Sequence, residues 1–507
     1  MRRRWRGVFV IAVVMAASAV GPVSGAQAKS QMQLTAQMIL AMRAAQFDQT
    51  IDFGPFEDVC PGASFCPVPA RPVKHLPNVD LAIIELDAQG HAISAANVLL
   101  SRDYPGGFPV PIDRVAGPAG TYGASLVRWR RWDIDRYNGG TFSQEDGHQL
   151  TTKGWTNNPP LTSADDIVPG RSPTPVQFMS PYPASLFKLI VAFRIMRLVD
   201  VGQLTLDTPY TYNPVAAQLA AEAARSDQPL QDHGPPARER LAVAAPSAAP
   251  GETRAIRDWM DPMITYSDNY AARALLKLLH DRNDLGAMHA ELRDMGLATL
   301  QINGTNPVTG GNWQPGSIHM TALDTARLLW LIDGGQGTLW LRPDGQPVLA
   351  SMLSDPSRAY LKSLLGDYGF HEALDTSSLC DKANVRPGIP ALVPARWINP
   401  DGTETAGGYP YGQDVRPCNA TAEVTFAHKT GLTFNYGSDA GIVRSMPGRP
   451  QRHYVIAFLS SLGYRYTDPA FASRTTYPCY DAVGAICYTQ RIPGMAKQLD
   501  DFLRSSN

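Results

Sequence analysis

Strand-like apolar stretches stand near the two ends of this chain and helical ones fill the middle, so a sheet can form only by bringing the ends together. Val79 to Leu86 is followed by a turn at Ala88-Gln89-Gly90 and a second apolar stretch ending near Leu100, which predicts a hairpin. Val424 to Lys429, Gly437 to Arg444 and His453 to Leu462 predict three more strands with turn residues between them. Helical spacing marks residues 35–47, a long apolar helix opened by Ser185 and closed by Gly202, and further helices at 253–264, 269–280, 321–331, 357–365 and 495–503. The pattern implies an α/β fold: a sheet built from both termini and packed by terminal helices, beside an all-α subdomain, with a binding cleft between the parts.

At 507 residues the chain is long enough for two or three domains, or for one large enzyme carrying insertions. Residues 1–28 read as a cleaved secretory signal: Arg2-Arg3-Arg4, an apolar run from Val8 to Val20, and Ala26-Gln27-Ala28 at the cleavage site. That run is shorter than the roughly 20 residues that span a bilayer, so export to a secreted or periplasmic location without a stable membrane anchor is expected; an uncleaved amino-terminal anchor is the alternative. Residues 29–77 form an N-terminal helix and a Cys-containing link. Irregular, Gly-, Pro- or Ala-rich segments near 101–175, 213–252 and 375–422 read as insertions.

Basic and acidic residues nearly cancel, 45 against 46, so no overall field draws the protein to nucleic acid or anionic membrane. The basic-aromatic patch Arg128-Trp129-Arg130-Arg131-Trp132 reads as a solvated strand with two packed tryptophans, or as a grip on a polyanionic polymer. Six cysteines in an exported chain suggest three disulfides. Local pairing gives Cys60 with Cys66, Cys380 with Cys418 and Cys479 with Cys487, among 15 possible connectivities. No cysteine has metal-ligand spacing with a histidine and the ten histidines form no HExxH pair, so no metal and no cofactor is expected.

The chemistry lies in three ordered motifs: Ser185-x-x-Lys188, Ser267-Asp268-Asn269 and Lys429-Thr430-Gly431. The first alone is expected by chance on the order of once in such a chain. The other two arise roughly one time in ten to twenty each, so the order and the placement on a helix start, a helix junction and a strand end carry the weight. A serine hydroxyl needs a base, and a lysine three residues on along a helix lies on the same face. Lys188 can take a proton near neutral pH if burial and a second cation, Lys429, depress its pKa. Ser267 would relay a proton to the leaving nitrogen while Asn269 holds Lys188 and the substrate amide. Thr430 would bind a substrate carboxylate, Gly431 would let substrate backbone approach closely, and the backbone amides of Ser185 and Leu432 would hold the oxyanion.

On these motifs, residues 78–503 resemble the superfamily of class A β-lactamases and penicillin-binding serine DD-peptidases. Met179-Ser180-Pro181-Tyr182, Thr321 to Leu329, and Asp439 to Val443 before a last strand add to the resemblance. It implies a β-lactamase/transpeptidase-like catalytic domain over 78–507, with an antiparallel sheet flanked by terminal helices plus an all-α subdomain. It also implies Ser185 as nucleophile and a small-molecule β-lactam or a peptidoglycan-type peptide as substrate. Two departures stand out. Class A enzymes carry a deacylating glutamate between the second and third motifs, whereas here Asn306-Pro307 occupies the matching place and no glutamate lies between Glu291 and Glu372. Ala440 stands where many class A enzymes have an arginine. Three readings follow: a serine hydrolase weak as a β-lactamase, acting on D-alanyl-type or other amides; a β-lactamase with a different deacylation route; and a non-catalytic cell-wall binding protein. The natural substrate and the oligomeric state stay open.

Overall fold

The computed structural model describes residues 30–54, 69–73, 76–112, 127–130, 166–169, 174, 176–214, 251–313, 316–474 and 484–504. Its centre is a six-stranded antiparallel sheet of β1 (Val79–Leu86), β2 (Ala92–Leu100), β3 (Phe108–Pro109), β4 (Val424–Leu432), β5 (Gly437–Ser445) and β6 (His453–Ser460), in the order β4-β5-β6-β1-β2-β3. The two ends of the chain meet where β6 pairs with β1, Ala457 opposite Ala82. Every residue of β1 is buried, as a strand covered on both faces requires. Successive side chains alternate between two cores: Ala82, Ile84 and Leu86 face one, Leu81 and Ile83 the other.

The terminal helices α1 (Gln31–Ala44) and α9 (Arg491–Arg504) cover one face, burying Leu34, Met38, Met495 and Leu499 against it. Helix α1 starts earlier than its apolar spacing predicts. Ser30 and Gln33 form a capping box there, with Gln33 N donating to Ser30 Oγ at 3.2 Å and Ser30 N to Gln33 Oε1 at 2.8 Å. The other face packs on the helical part: α2 (Lys188–Asp200), α3 (Ile256–Thr265), α4 (Asn269–Asp281), α5 (Leu285–Asp294), α6 (Ala322–Asp333) and α7 (Asp355–Gly366). Helix α6 is buried along its whole length, capped by the Thr321 side chain and stopped by Gly334 in the left-handed region at φ 87°. Helix α5 was not foreseen, because it buries only Met288 and Leu292 and so shows little apolar periodicity. Where a single helix was expected over 253–264, Glu252–Ala255 instead pairs as a strand with Pro209–Tyr212 and α3 begins at Ile256.

Two expectations about the insertions are corrected. The strand Val127–Arg130 is not solvated: Arg130 is 1 % exposed and its guanidinium lies 3.0 Å from Asp166, to which Arg128 also donates at 2.6 Å. Trp129 is buried edge-on against Phe178, while Arg131 and Trp132 lie outside the described residues. The segment 375–422, expected to be irregular, carries regular structure. It folds into a hairpin of Thr403–Ala406 with Tyr409–Asp414, then α8 (Arg416–Thr421), stapled by the Cys380–Cys418 disulfide. Its Leu379, Ile389, Ala391, Tyr409 and Tyr411 are buried in the same core as the terminal helices. Residues 1–28, most of 213–252, and Cys60, Cys66 and Cys479 lie outside the described residues, and no described helix is long and apolar enough to cross a membrane.

Candidate active site

Ser185 sits in a short 3-10 turn, Ala184–Phe187, that runs straight into α2. The Leu186, Phe187, Leu189 and Ile190 side chains anchor this turn in the core, while Ser185 itself stays partly exposed. Ala184 is held at φ 48°, a backbone region that residues with a Cβ rarely adopt. Ser267, in the link between α3 and α4, is held at φ 62°. Strain kept at two such positions is what surrounding structure maintains where a side chain must be aimed. Asp268 caps α4 by accepting from Ala271 N at 2.6 Å, which fixes Ser267 and Asn269 on either side of it.

Two fully buried lysines converge on this link. Lys188 Nζ donates to Ser267 O at 2.6 Å, Ser267 Oγ at 3.1 Å and Asn269 Oδ1 at 2.7 Å. Lys429 Nζ, near the end of β4, donates to the same Ser267 Oγ at 2.9 Å, to Tyr368 OH at 3.2 Å and to Thr430 O at 2.7 Å. The structure therefore brings Lys188, Ser267, Asn269 and Lys429 into one network, with Ser185 one helical turn before Lys188.

Gly431 has a different reason from the expected one. A Cβ there would lie 2.0 Å from Pro183 O and 2.7 Å from Leu186 N, so the missing side chain lets β4 lie directly against the turn that carries Ser185. Ser438 Oγ reinforces the join by donating to Pro183 O at 2.8 Å. Leu432 follows Gly431 as the last residue of β4. Thr430 is 2 % exposed and its hydroxyl is hydrogen-bonded to Tyr368 OH, so it reaches a ligand only together with that tyrosine. Asn306 serves its own loop, where its Oδ1 accepts from Val308 N at 2.8 Å and its carbonyl from Gly310 N at 2.7 Å. Ala440, opposite Lys429 in the β4–β5 ladder, is fully buried.

Sequence reasoning missed Tyr368 and Trp313. Tyr368 lies just past α7, outside any motif, yet it hydrogen-bonds both Lys429 and Thr430, and its ring lies 4.5 Å from Lys429 Nζ. Trp313 packs on Phe187 at 5.1 Å and stands 5.8 Å from Lys188 Nζ. Only a fold-level alignment of their loops could have found them.

Beneath β4, on the side of the terminal helices, lies a second cluster of ionisable groups. His428 Nδ1 bonds Asp439 Oδ1 at 2.8 Å, and His371 Nδ1 bonds Asp375 Oδ2 at 2.6 Å. Burial works against a charge on His371, but the charge and hydrogen bond of Asp375 outweigh it and hold its pKa at about 9. Burial pushes Asp439 up to about 8 and Glu404 up to about 7.

Among solved structures, the chain is similar to PBP-A at 17% identity, with 64% of this chain and 81% of that chain covered and a TM-score of 0.36. It is similar to a β-lactamase from Chitinophaga pinensis at 17% identity, covering 64% and 86% with a TM-score of 0.35, and to one from Streptosporangium roseum at 16%, covering 64% and 84% with a TM-score of 0.36. No curated protein sequence matches the chain. The model of the β-lactamase enzyme family matches residues 179–475. That span exceeds half of the chain and holds the Ser185, Ser267 and Lys429 motifs together, and on that match the protein belongs to the β-lactamase enzyme family.

Proposed function

We propose that the protein is an exported serine hydrolase that opens a β-lactam or D-alanyl-type amide through an acyl-Ser185 intermediate, and that its deacylation is slow. The observation that carries this reading is the shared hydroxyl of Ser267, which accepts from Lys188 at 3.1 Å and from Lys429 at 2.9 Å. In the reacting state Lys188 is the neutral member of the lysine pair. It takes the Ser185 proton as Oγ bonds to the substrate carbonyl carbon, and the oxyanion forms beside the amides of Ser185 and Leu432. The C–N bond then breaks, and a proton passes from Lys188 through the Ser267 hydroxyl to the leaving nitrogen, restoring the neutral amine. Lys429 keeps its charge and steadies the relay.

Hydrolysis of the acyl-serine ester needs a water and a base. Glu291, the last glutamate before the Asn306 loop, is engaged by Arg194 and Arg197, the latter at 2.7 Å. Glu372, the next one, is 2 % exposed and accepts from Tyr411 OH at 3.3 Å. Asn306 offers an amide, which orients water but does not take its proton. These positions support slow turnover of the acyl-enzyme and hence a peptidase-like role over an efficient β-lactamase. Export rests on residues 1–28, and the extent of the catalytic domain, 78–507, on the motifs and the sheet they join. The reading is tested by labelling with a fluorescent penicillin: the wild type takes up label and Ser185→Ala does not. Absence of label on the wild type sinks acylation of this substrate class and leaves a non-lactam substrate or a binding role.

A further inference from the structure

We propose that His371, Asp375 and His428 form a buried divalent-cation site suited to zinc, which pins the 375–422 segment to the strand carrying Lys429. Ligand atoms from His371, Asp375 and His428 lie within 4.8 Å of one another, and all three residues are at most 1 % exposed. Each imidazole is oriented from outside the cluster. His371 Nε2 donates to Tyr368 O at 2.8 Å, which leaves Nδ1 facing Asp375; His428 Nδ1 pairs with Asp439 Oδ1, which leaves Nε2 as its ligand atom. A backbone carbonyl or carboxylate behind each ring is how proteins fix the tautomer and direction of metal-binding histidines.

The groups left over point the same way. His428 Nε2 and Asp375 Oδ1 are buried with no hydrogen-bond partner among the described residues. Leaving such groups uncompensated is costly, and the His371–Asp375 pair supplies no hydrogen-bond partner to His428 Nε2 or Asp375 Oδ1. A dication balances the Asp375 carboxylate and accepts both imidazoles. Two nitrogens and a carboxylate in buried surroundings match a zinc site, whereas calcium or magnesium would call for more oxygens.

The segment 375–422 supplies Asp375, whereas His428 is the neighbour of Lys429 on β4. Tyr368 joins the two sites, because its carbonyl accepts from His371 and its hydroxyl meets Lys429 and Thr430. The cation would thus position Lys429 without touching substrate.

The test uses the full chain, made without a histidine tag in medium supplemented with zinc, and reads metal content by mass spectrometry after dialysis against a mild chelator. About one zinc per chain is expected, and thermal stability should fall when a strong chelator is applied under partly unfolding conditions. Asp375→Asn and His428→Gln should each weaken retention by roughly tenfold or more. Should either variant fail to fold, refolding the wild type with cobalt(II) decides the question through the intense visible absorption of a tetrahedral site. Negligible zinc with no cobalt spectrum overturns the proposal. So does zinc retained equally by wild type and both variants, since the metal would then sit elsewhere. Neither readout depends on acylation of Ser185, so failure here and failure of the hydrolase reading are separable.

Discussion

Lys188 and Lys429 meet at one atom, the Ser267 hydroxyl oxygen, although they stand 241 positions apart in the chain. Removing that atom takes away the one acceptor through which the two buried lysines meet. Ser267→Ala should therefore slow acylation by roughly 10²- to 10⁴-fold, the usual range for loss of a proton-transfer group. The check is the second-order rate of penicillin labelling, with circular dichroism to establish that the variant is folded. A rate within about threefold of wild type would remove Ser267 from the proton path.

Tyr368→Phe removes one hydroxyl that partners both Lys429 and Thr430 while leaving the ring under Lys429 Nζ. The stability loss should be about 1 kcal/mol, typical of one buried hydrogen bond. Labelling should slow by about tenfold, with the larger share in substrate binding if Thr430 and Tyr368 together receive a carboxylate. Comparing a substrate that has a carboxylate with one that lacks it measures this directly. Equal effects on both would take Tyr368 out of carboxylate recognition.

Gly431→Ala places a methyl group 2.0 Å from Pro183 O, a contact that only movement of β4 away from the Ser185 turn can relieve. Overpacking of this kind costs about 1–3 kcal/mol. The variant should show a lowered unfolding midpoint together with a loss of labelling, because the same shift carries Leu432 away from Ser185. Full labelling at a lowered midpoint would separate the packing of this glycine from the oxyanion site.

Asp80, on β1, accepts from Asn97 Nδ2 at 2.7 Å and Ala322 N at 2.8 Å, yet burial raises its pKa from 3.8 to about 7. The folded state thus holds this proton more tightly than the unfolded chain does. Its contribution to stability is full below pH 3.8, declines as pH rises from about 4 to 7, and is flat above that. Asp80→Asn should flatten that part of the stability profile, measured by urea unfolding across pH. An unchanged slope would mean that another buried carboxyl dominates it.

Much of the sheet was legible because its strands bury both faces or alternate: β1 runs from Val79 to Leu86 as read, and β4 runs from Val424 to Leu432 with Lys429-Thr430-Gly431 near its end. The site was legible through its motifs, whose residues do come together around Ser267. What escaped the sequence was carried by long-range packing. Gly431 looked like space for substrate, but the space it leaves is filled by Pro183 and Leu186, which nothing local reveals. The 375–422 segment looked like a loop because Gly and Pro interrupt its periodicity, yet Tyr409 and Tyr411 are buried against the sheet. Arg130 looked solvated because its partner, Asp166, is remote in sequence. The paired histidines 371 and 428 were scattered singly along the chain and only β4 brings them within reach of each other.

The most direct test follows the intact mass of the mature protein through time after mixing with benzylpenicillin, with Ser185→Ala alongside. The account predicts rapid gain of one drug mass on Ser185 and persistence of that adduct, with no adduct on the variant. Rapid return to the native mass with the drug consumed would contradict slow deacylation and make the protein a working β-lactamase.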